Sequence, residues 1–200
     1  MRLYHMQESG NCYKVRLAAH QLGQPLDLVD IDFVGGETRK APFLALNPNG
    51  RTPLLQLDDG RCLPESNAIL FYLAEGTPLL PADRYTRAQA LQWMFFEQYS
   101  HEPYIAVARW WWSFTPGGRE TKKDRFPEWR EKGNAALKVM DQHLAEHDFF
   151  AGRYSIADIA LYAYTHVAHE GDFDLSPYRA LKSWLARVAS EPRHIPITER

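Results

Sequence analysis

The sequence predicts an α/β domain followed by an all-helical domain, and three observations support this fold class. Residues 1–76 alternate short strand-like and helix-like patterns, whereas residues 83–200 contain only long amphipathic helical patterns. Between them lies Glu75-Gly76-Thr77-Pro78-Leu79-Leu80-Pro81-Ala82, a stretch rich in helix breakers. We therefore expect a first domain over residues 1–76, a linker over 77–82 and a helical domain over 83–200.

The first half of the α/β domain reads as strand, helix, strand. Arg2–His5 is strand-like, and residues 12–22 place apolar side chains at helical spacing before Gly23, a residue common just after helix C-termini. Residues 26–33 alternate apolar and acidic side chains. This alternation predicts a second strand with one solvent-exposed face.

The second half of this domain reads as helix, hairpin, helix. Residues 40–46 predict a short helix, and two apolar runs, 54–57 and 61–63, flank the turn sequence Asp58-Asp59-Gly60, which predicts a β-hairpin. Ser66 is predicted to cap the next helix. The resulting order, β-α-β-α-β-β-α, describes a small mixed sheet with helices on its faces.

The second domain is predicted to be a helical bundle. Thr86 and Ser155 each precede an amide or an acid by three residues, the spacing of a capping box. Long amphipathic segments are predicted at residues 85–113, 127–147, 156–169 and 178–190.

Composition excludes several classes of protein. The net charge is −2 and the pI about 6.4, so the basic excess typical of nucleic-acid binders is missing. Only two cysteines are present, Cys12 and Cys62, and no apolar run approaches the ~20 residues of a membrane helix. We expect a cytoplasmic protein that binds neither membrane nor nucleic acid. His166 and His169 lack a third ligand, so we expect no metal site.

Four motifs occur in order along nearly the whole chain. They are Ser9-Gly10-Asn11-Cys12, Asn47-Pro48-x-Gly50-x-Thr52-Pro53, Glu65-Ser66-Asn67-Ala68-Ile69 and Ala151-Gly152-x-Tyr154-Ser155-Ile156-Ala157-Asp158. Each motif alone is weak, but in this order and at these separations the chain resembles the bacterial glutathione transferases. The resemblance implies a thioredoxin-like first domain, a helical second domain, glutathione as co-substrate without a further cofactor, and a homodimer.

Glu65 and Ser66 stand at a predicted helix start, where free N–H groups and the helix dipole favour carboxylates. Simple capping by Ser66 would not require the acid beside it. The resemblance implies that Ser66 binds the γ-glutamyl carboxylate of glutathione and that Glu65 binds its ammonium group. It also implies that the Thr52–Pro53 bond is cis and that Thr52 pairs with the cysteinyl backbone.

Two further parts of glutathione need partners. Lys40 and Arg51 are the candidate cations for the glycyl carboxylate, without a ranking between them. For the sulfur, Ser9 stands where redox relatives of this fold carry a cysteine, so its hydroxyl can donate to a thiolate but cannot form a disulfide. Asn11 is the second candidate donor. Cys12 is expected to be a buried structural thiol, and Cys62 is also expected in the core.

An apolar pocket for an electrophilic second substrate is predicted around Tyr104 and Trp111, although neighbouring aromatic residues of this helix must also fill the core. The leading hypothesis is an enzyme that transfers the glutathione thiolate to a small electrophile in detoxification. A glutathione-dependent isomerase of the maleylacetoacetate type is an alternative, but that family carries a cysteine at the position of Asn11. A non-catalytic interaction module is the third possibility.

Overall fold

The computed structural model describes all 200 residues, which form two compact units. The first unit comprises residues 1–77 and 192–200, and the second unit comprises residues 78–191. The sequence prediction placed residues 192–200 in the helical domain, whereas the structure places them with the α/β unit.

The first unit contains a four-stranded mixed sheet in the predicted order of elements. Strand β1 pairs in parallel with β2 and antiparallel with β3, and β3 forms the predicted hairpin with β4, so the sheet order is β2-β1-β3-β4. The elements are β1 Arg2–His5, α1 Gly10–Leu22, β2 Asp27–Asp30, α2 Ala41–Leu46, β3 Leu54–Gln56, β4 Cys62–Pro64 and α3 Ser66–Ala74.

Strand β2 is shorter than the apolar–acidic alternation predicts. The chain turns immediately after the strand, because the Asp32 side chain accepts a hydrogen bond from Gly35 N at 2.7 Å. Glu37 accepts a second one from Asp32 N at 2.8 Å, and a 3-10 turn follows at Glu37–Arg39. Side-chain hydrogen bonds to the backbone therefore end the strand, as is common for Asp in turns.

Apolar side chains cover both faces of this sheet. On one face the sheet packs against α1 and α3, and on the other against α2. The buried residues of the first face are Leu3, Val15, Ala19, Leu55, Ile69 and Leu73, and those of the second face are Ile31, Phe43 and Leu54.

Residues 192–200 attach to helix α1 by hydrogen bonds from buried side chains. Tyr13 Oη donates to Ile195 O at 2.6 Å, and Arg16 donates to Ile197 O at 2.8 Å. Both donors are buried on α1. This segment has no periodic apolar pattern, so its sequence did not reveal the attachment.

The second unit is entirely helical. Two single π-helical turns, Glu97–His101 and Trp110–Phe114, join α4, α5 and the chain beyond into one run of residues 84–114, close to the predicted segment 85–113. The α-helices are α4 Arg84–Phe96, α5 Glu102–Arg109, α6 Gly118–Thr121, α7 Phe126–Leu144, α8 Ile156–Thr165 and α9 Arg179–Ala189. Pro103, near the start of α5, cannot donate a backbone hydrogen bond, which explains a break in the regular α-helical ladder there.

The two predicted capping boxes have different outcomes. Thr86 is not a cap, because α4 begins earlier and Asp83 accepts a hydrogen bond from Thr86 N at 2.8 Å. The box of Ser155 and Asp158 is confirmed: Asp158 accepts from Ser155 N at 3.0 Å, and Ser155 Oγ accepts from Ala157 N at 3.3 Å. The box fixes the start of α8.

Asp158 also links the start of α8 to its surroundings. Its Oδ1 accepts hydrogen bonds from Trp184 Nε1 at 2.9 Å and from Phe150 N at 3.2 Å. Asp158 and Trp184 are fully buried. Burial raises the pKa of Asp158 to about 7, against the opposing effect of its hydrogen-bond donors.

No helix of the chain combines the length and the apolar character needed to span a bilayer.

Candidate functional site

Helix α1 begins at Ser9, which is its N-cap. Ser9 Oγ accepts a hydrogen bond from Cys12 N at 3.3 Å. Because the oxygen acts as the acceptor in this bond, the hydroxyl proton can still be directed at a sulfur atom. Ser9 is partly exposed, so a ligand sulfur can approach it.

Cys12 lies one turn further on and is fully buried, as predicted. Its Sγ accepts from Met6 N at 3.4 Å, and the hydroxyls of Ser9 and Thr52 lie near enough to lower its pKa slightly. Burial raises the pKa of this thiol, so it stays protonated at neutral pH. Cys62 is only partly buried, which differs from the core position expected for it, because β4 is at the edge of the sheet.

The loop before β3 presents Thr52 beside the start of α1. The Thr52–Pro53 peptide bond is cis, as the resemblance implied. Asn47 is buried and shapes the loop, since its Nδ2 donates to Arg51 O at 2.8 Å. The Thr52 side chain reaches the Cys12 thiol. The cis-proline loop and the first turn of α1 are therefore in contact.

Helix α3 begins without a side-chain cap. Ser66 was predicted to be the N-cap, but this is wrong: Ser66 is the first helical residue, and Glu65 takes the N-cap position with φ 73° and no capping hydrogen bond. The Ser66 hydroxyl instead donates to Asn11 Oδ1 at 3.2 Å. A helix start in this state presents backbone N–H groups and a positive dipole end to a ligand.

Lys14 lies beside the predicted site residue Ser66, a position that the sequence did not reveal. It is fully buried on α1, and its Nζ lies 3.4 Å from both Ser66 Oγ and Asn67 Oδ1. The available signal was a charged residue between the apolar neighbours Tyr13 and Val15. Its ammonium group adds positive charge next to the first turn of α3.

Helix α1 therefore joins most of the predicted glutathione residues in one cluster. Ser9 and Thr52 meet at Cys12, whereas Asn11 contacts Ser66. The two candidate cations lie outside these contacts. Lys40 and Arg51 are both exposed, and the hydrogen bonds of Lys40 stay within residues 37–44.

Family models match both units of the chain. The glutathione S-transferase N-terminal domain matches residues 3–80, and the glutathione S-transferase C-terminal domain matches residues 88–192. The chain belongs to the glutathione S-transferase family. This agrees with the fold, a small mixed sheet with helices followed by an all-helical unit.

Solved structures of the family are similar over the whole chain. A possible glutathione S-transferase from Rhodopseudomonas palustris is 52% identical, with a TM-score of 0.98, and the match covers 100% of this chain and 98% of that one. A glutathione transferase from Burkholderia graminis with two bound glutathione molecules per subunit is 27% identical, with a TM-score of 0.82, over 96% of this chain and 84% of that one.

A curated relative of a different kind is elongation factor 1-gamma from Artemia salina. It is 33% identical over 177 residues, which is 84% of this chain but 40% of the elongation factor. The chain thus spans less than half the length of this relative. A region similar to this glutathione S-transferase chain therefore forms part of a longer protein, elongation factor 1-gamma.

The aromatic residues predicted to line a second-substrate pocket lie in the second unit. Lys122 Nζ stands 4.7 Å from the ring centroid of Trp111, and Lys132 Nζ stands 5.3 Å from that of Tyr104. Both rings therefore carry a cation–π contact on one face. The assignment of Tyr104 and Trp111 to a substrate pocket stays a prediction.

No group of three or more His, Cys, Asp or Glu side chains in the chain is arranged to hold a metal ion.

Proposed function

We propose that the protein binds glutathione in its first unit, stabilises the thiolate and transfers it to a small electrophile. The observation that carries this proposal is the uncapped start of α3, with Glu65 at φ 73° and Ser66 in the first turn. A backbone held in a sparsely populated conformation without a cap is typical of a binding site. Membership of the glutathione S-transferase family supplies the ligand class.

The γ-glutamyl end of glutathione is assigned to this helix start. Its carboxylate accepts from the Ser66 amide and hydroxyl, and the hydroxyl leaves Asn11 Oδ1 to do so. Lys14 increases the positive potential behind Ser66, at a distance of 3.4 Å from Oγ. The exposed carboxylate of Glu65 accepts from the ligand ammonium.

The rest of the peptide extends along the cis-proline loop in this proposal. Thr52 pairs with the cysteinyl backbone next to Pro53. Lys40 and Arg51 hold the glycyl carboxylate, and because both are exposed each contributes weakly and in a salt-dependent way.

The sulfur of glutathione is assigned to the start of α1. A free thiol is mostly protonated at neutral pH, and the positive end of a helix together with a donor lowers its pKa. Ser9 is the first candidate donor, since its oxygen already accepts from Cys12 N and its proton is free to turn. Asn11 is the second.

Calorimetry with glutathione tests the placement of the ligand. Glu65→Ala removes a charge-assisted hydrogen bond, so we expect the binding free energy to fall by about 1.5–3 kcal/mol, or roughly 10- to 100-fold in Kd. Glu131→Ala, an exposed carboxylate on α7, is the matched control and should bind as the parent does. Equal binding by the Glu65 variant would show that the ligand is placed wrongly.

An absence of glutathione binding by the parent would favour the second candidate function, a non-catalytic interaction module. The similarity to elongation factor 1-gamma is the observation in its favour. If glutathione binds, a panel of electrophiles, which includes maleylacetoacetate-type cis-enones, separates conjugation from isomerisation.

Ultraviolet titration of the bound thiolate tests the donor. Ser9→Ala should raise the apparent pKa of bound glutathione and leave the affinity for an S-alkyl glutathione nearly unchanged, because a thioether carries no charge. Cys12→Ala should cost stability and leave the titration unchanged. A shift in the Cys12 variant alone would point to a cysteine-based enzyme, and a shift in neither would move the role to Asn11.

We further propose a cytoplasmic homodimer that acts in detoxification. Two observations support the location and the assembly. Neither cysteine is in a disulfide, which suits a reducing compartment. Phe95 and Tyr99 are 70% and 84% exposed on one helical face, and aromatic side chains of this kind are typical of interfaces. Light scattering after size-exclusion chromatography measures the mass directly.

A further inference from the structure

The first unit contains a cavity that shares no lining residue with the proposed glutathione site. It lies between the second half of α1, the connection from α1 to β2 and residues 192–200, and its volume is about 400 Å³. Cavities of this size accommodate small organic molecules. The lining divides into a cationic part and an apolar part.

Three arginines line the cavity, and no acidic side chain does. They are Arg16 from α1 and Arg193 and Arg200 from the C-terminal segment. Asp30 outside the lining pairs with Arg200 and offsets part of this charge. The chain as a whole has a net charge of −2, so the positive charge here is a local concentration. The apolar part of the lining includes Leu26, Leu28 and Ile195.

Arg193 is held at the cavity in a strained backbone conformation. Its φ is 59°, which is sparsely populated by residues other than glycine. His20 Nδ1 and Arg193 O are 2.7 Å apart, and this bond fixes the backbone. Arg193 is exposed, and its guanidinium lies against Gly23, where a Cβ would stand 2.8 Å from one of its nitrogens.

Arg16 supplies a buried charge to the same wall. It is only 3% exposed, and its guanidinium bonds to His5 Nδ1 at 3.2 Å, Gln7 O at 3.1 Å and Ile197 O at 2.8 Å. None of these partners is a carboxylate, and its Nε has no acceptor. Glu8 attracts this cation and offsets part of its charge. A buried cation whose hydrogen-bond partners are all neutral still raises the positive potential of the space beside it.

We propose that this cavity binds a small organic carboxylate with an apolar body. The carboxylate pairs with Arg193 and is attracted by the charges of Arg16 and Arg200, while the body packs against Leu28 and Ile195. The planar guanidinium of Arg193 is suited to bidentate binding of a carboxylate. An inorganic anion would use only the cationic half of the lining and leave the apolar half bare.

NMR titration of the full chain with benzoate tests the proposal. Benzoate should shift the amide signals of Ala19, Leu28 and Ile195 saturably, with S-hexylglutathione present or absent. Benzamide, the neutral isostere, and inorganic phosphate should each bind about tenfold more weakly. Equal binding of benzamide and benzoate, tighter binding of phosphate, or shifts that map elsewhere would overturn the assignment.

Variants make the test specific to the cavity. Arg193→Gln should weaken benzoate about tenfold, whereas Arg61→Gln, an exposed arginine of the same unit that pairs with Asp59, should leave it unchanged. Arg200→Gln is the second variant. Because Arg200 is exposed, its replacement should not damage the core, and the affinity for benzoate should fall by a smaller factor. Unchanged affinity in both cavity variants would refute the site.

Discussion

Helices α3 and α8 both begin beside a serine and an acid, but the two helix starts are built in opposite ways. At α8, Ser155 and Asp158 satisfy each other and the first backbone N–H groups. At α3, Glu65 makes no capping bond, and Ser66 points its hydroxyl at Asn11 on a neighbouring helix. We call the start of α8 closed, because its own side chains cap it. We call the start of α3 open, because no side chain caps it.

Under the proposed function, a helix N-terminus stabilises the second unit at α8 and binds the ligand in the first unit at α3. A closed start uses its N–H groups within the fold and has none left for a ligand. An open start keeps them available for an anion, at the expense of local stability. Substitutions can remove the closed start, change the pH response of each unit, relax the open start or weaken its cationic surroundings.

The largest expected effect is on the closed start. Asp158→Ala leaves the donors of Ser155, Phe150 and Trp184 without an acceptor in a buried region, so the free energy of unfolding should fall by about 3 kcal/mol or more. Urea denaturation measures this. Asp174→Ala, whose carboxylate bonds only at the surface to Ser176, should change stability by less than about 1 kcal/mol. Similar losses in both variants would contradict a special role of Asp158.

Acidification should act on the two units with opposite sign. Burial lowers the pKa of His5 in the first unit from 6.5 to about 4. The contribution of His5 to the free energy of unfolding is therefore present above pH 6.5 and is lost as the pH falls towards 4. Burial raises the pKa of Asp158 in the second unit from 3.8 to about 7. The contribution of Asp158 to the free energy of unfolding is therefore present at low pH and is lost as the pH rises through 7. From pH 7 to 5 each group changes stability by about 2 kcal/mol, and the two changes oppose each other.

Two variants separate these contributions. Between pH 7 and 5, His5→Gln should gain stability relative to the parent protein, and Asp158→Asn should lose it. Chemical denaturation at both pH values measures the difference. Parallel pH profiles for the parent and both variants would show that these groups do not govern the response.

Relaxing the open start should separate stability from binding. Glu65→Gly removes the strain of a positive φ at a residue with a side chain, and we expect stability to rise by about 1 kcal/mol. The same change should weaken glutathione binding, because the carboxylate is lost. Glu131→Gly, at an exposed position of α7 where the φ is not positive, is the control and should lower stability. A Glu65 variant that gains both stability and affinity would refute the proposed trade-off.

The smallest effect concerns the exposed cations. Lys40→Ala and Arg51→Ala should each raise the Michaelis constant for glutathione by a small factor, which corresponds to less than about 1 kcal/mol. The effect should shrink in high salt, since exposed charges are screened. Steady-state kinetics at two ionic strengths provide the measurement. An unchanged constant in the double variant would remove both residues from the site.

The sequence predicted the order of the elements because each depends on local periodicity, turn residues or caps. The hairpin around Asp58-Asp59-Gly60 and the capping box at Ser155 were recognised for this reason. Ser66 was misplaced by one position, because local capping rules do not anticipate a glutamate with a positive φ at the preceding residue.

Other features depend on contacts between distant residues and left no local signal. Lys14 could not be placed beside Ser66 without the packing of α1 on α3. The cavity beside Arg193 likewise exists only because residues 192–200 return to α1. The motif resemblance identified the family and most candidate site residues, whereas these charged positions emerged from the tertiary structure.

The return of residues 192–200 to helix α1 has a consequence for biosynthesis. The ribosome makes residues 1–77 of the α/β unit first, but Tyr13 and Arg16 receive their partners Ile195 and Ile197 only after the whole helical unit has been made. During translation the side of α1 that carries Tyr13 and Arg16 therefore lacks its final partners while more than a hundred residues are added. Contacts so distant in sequence form late and slow the final folding step. The nascent α/β unit should thus be a chaperone client until residues 192–200 have been made.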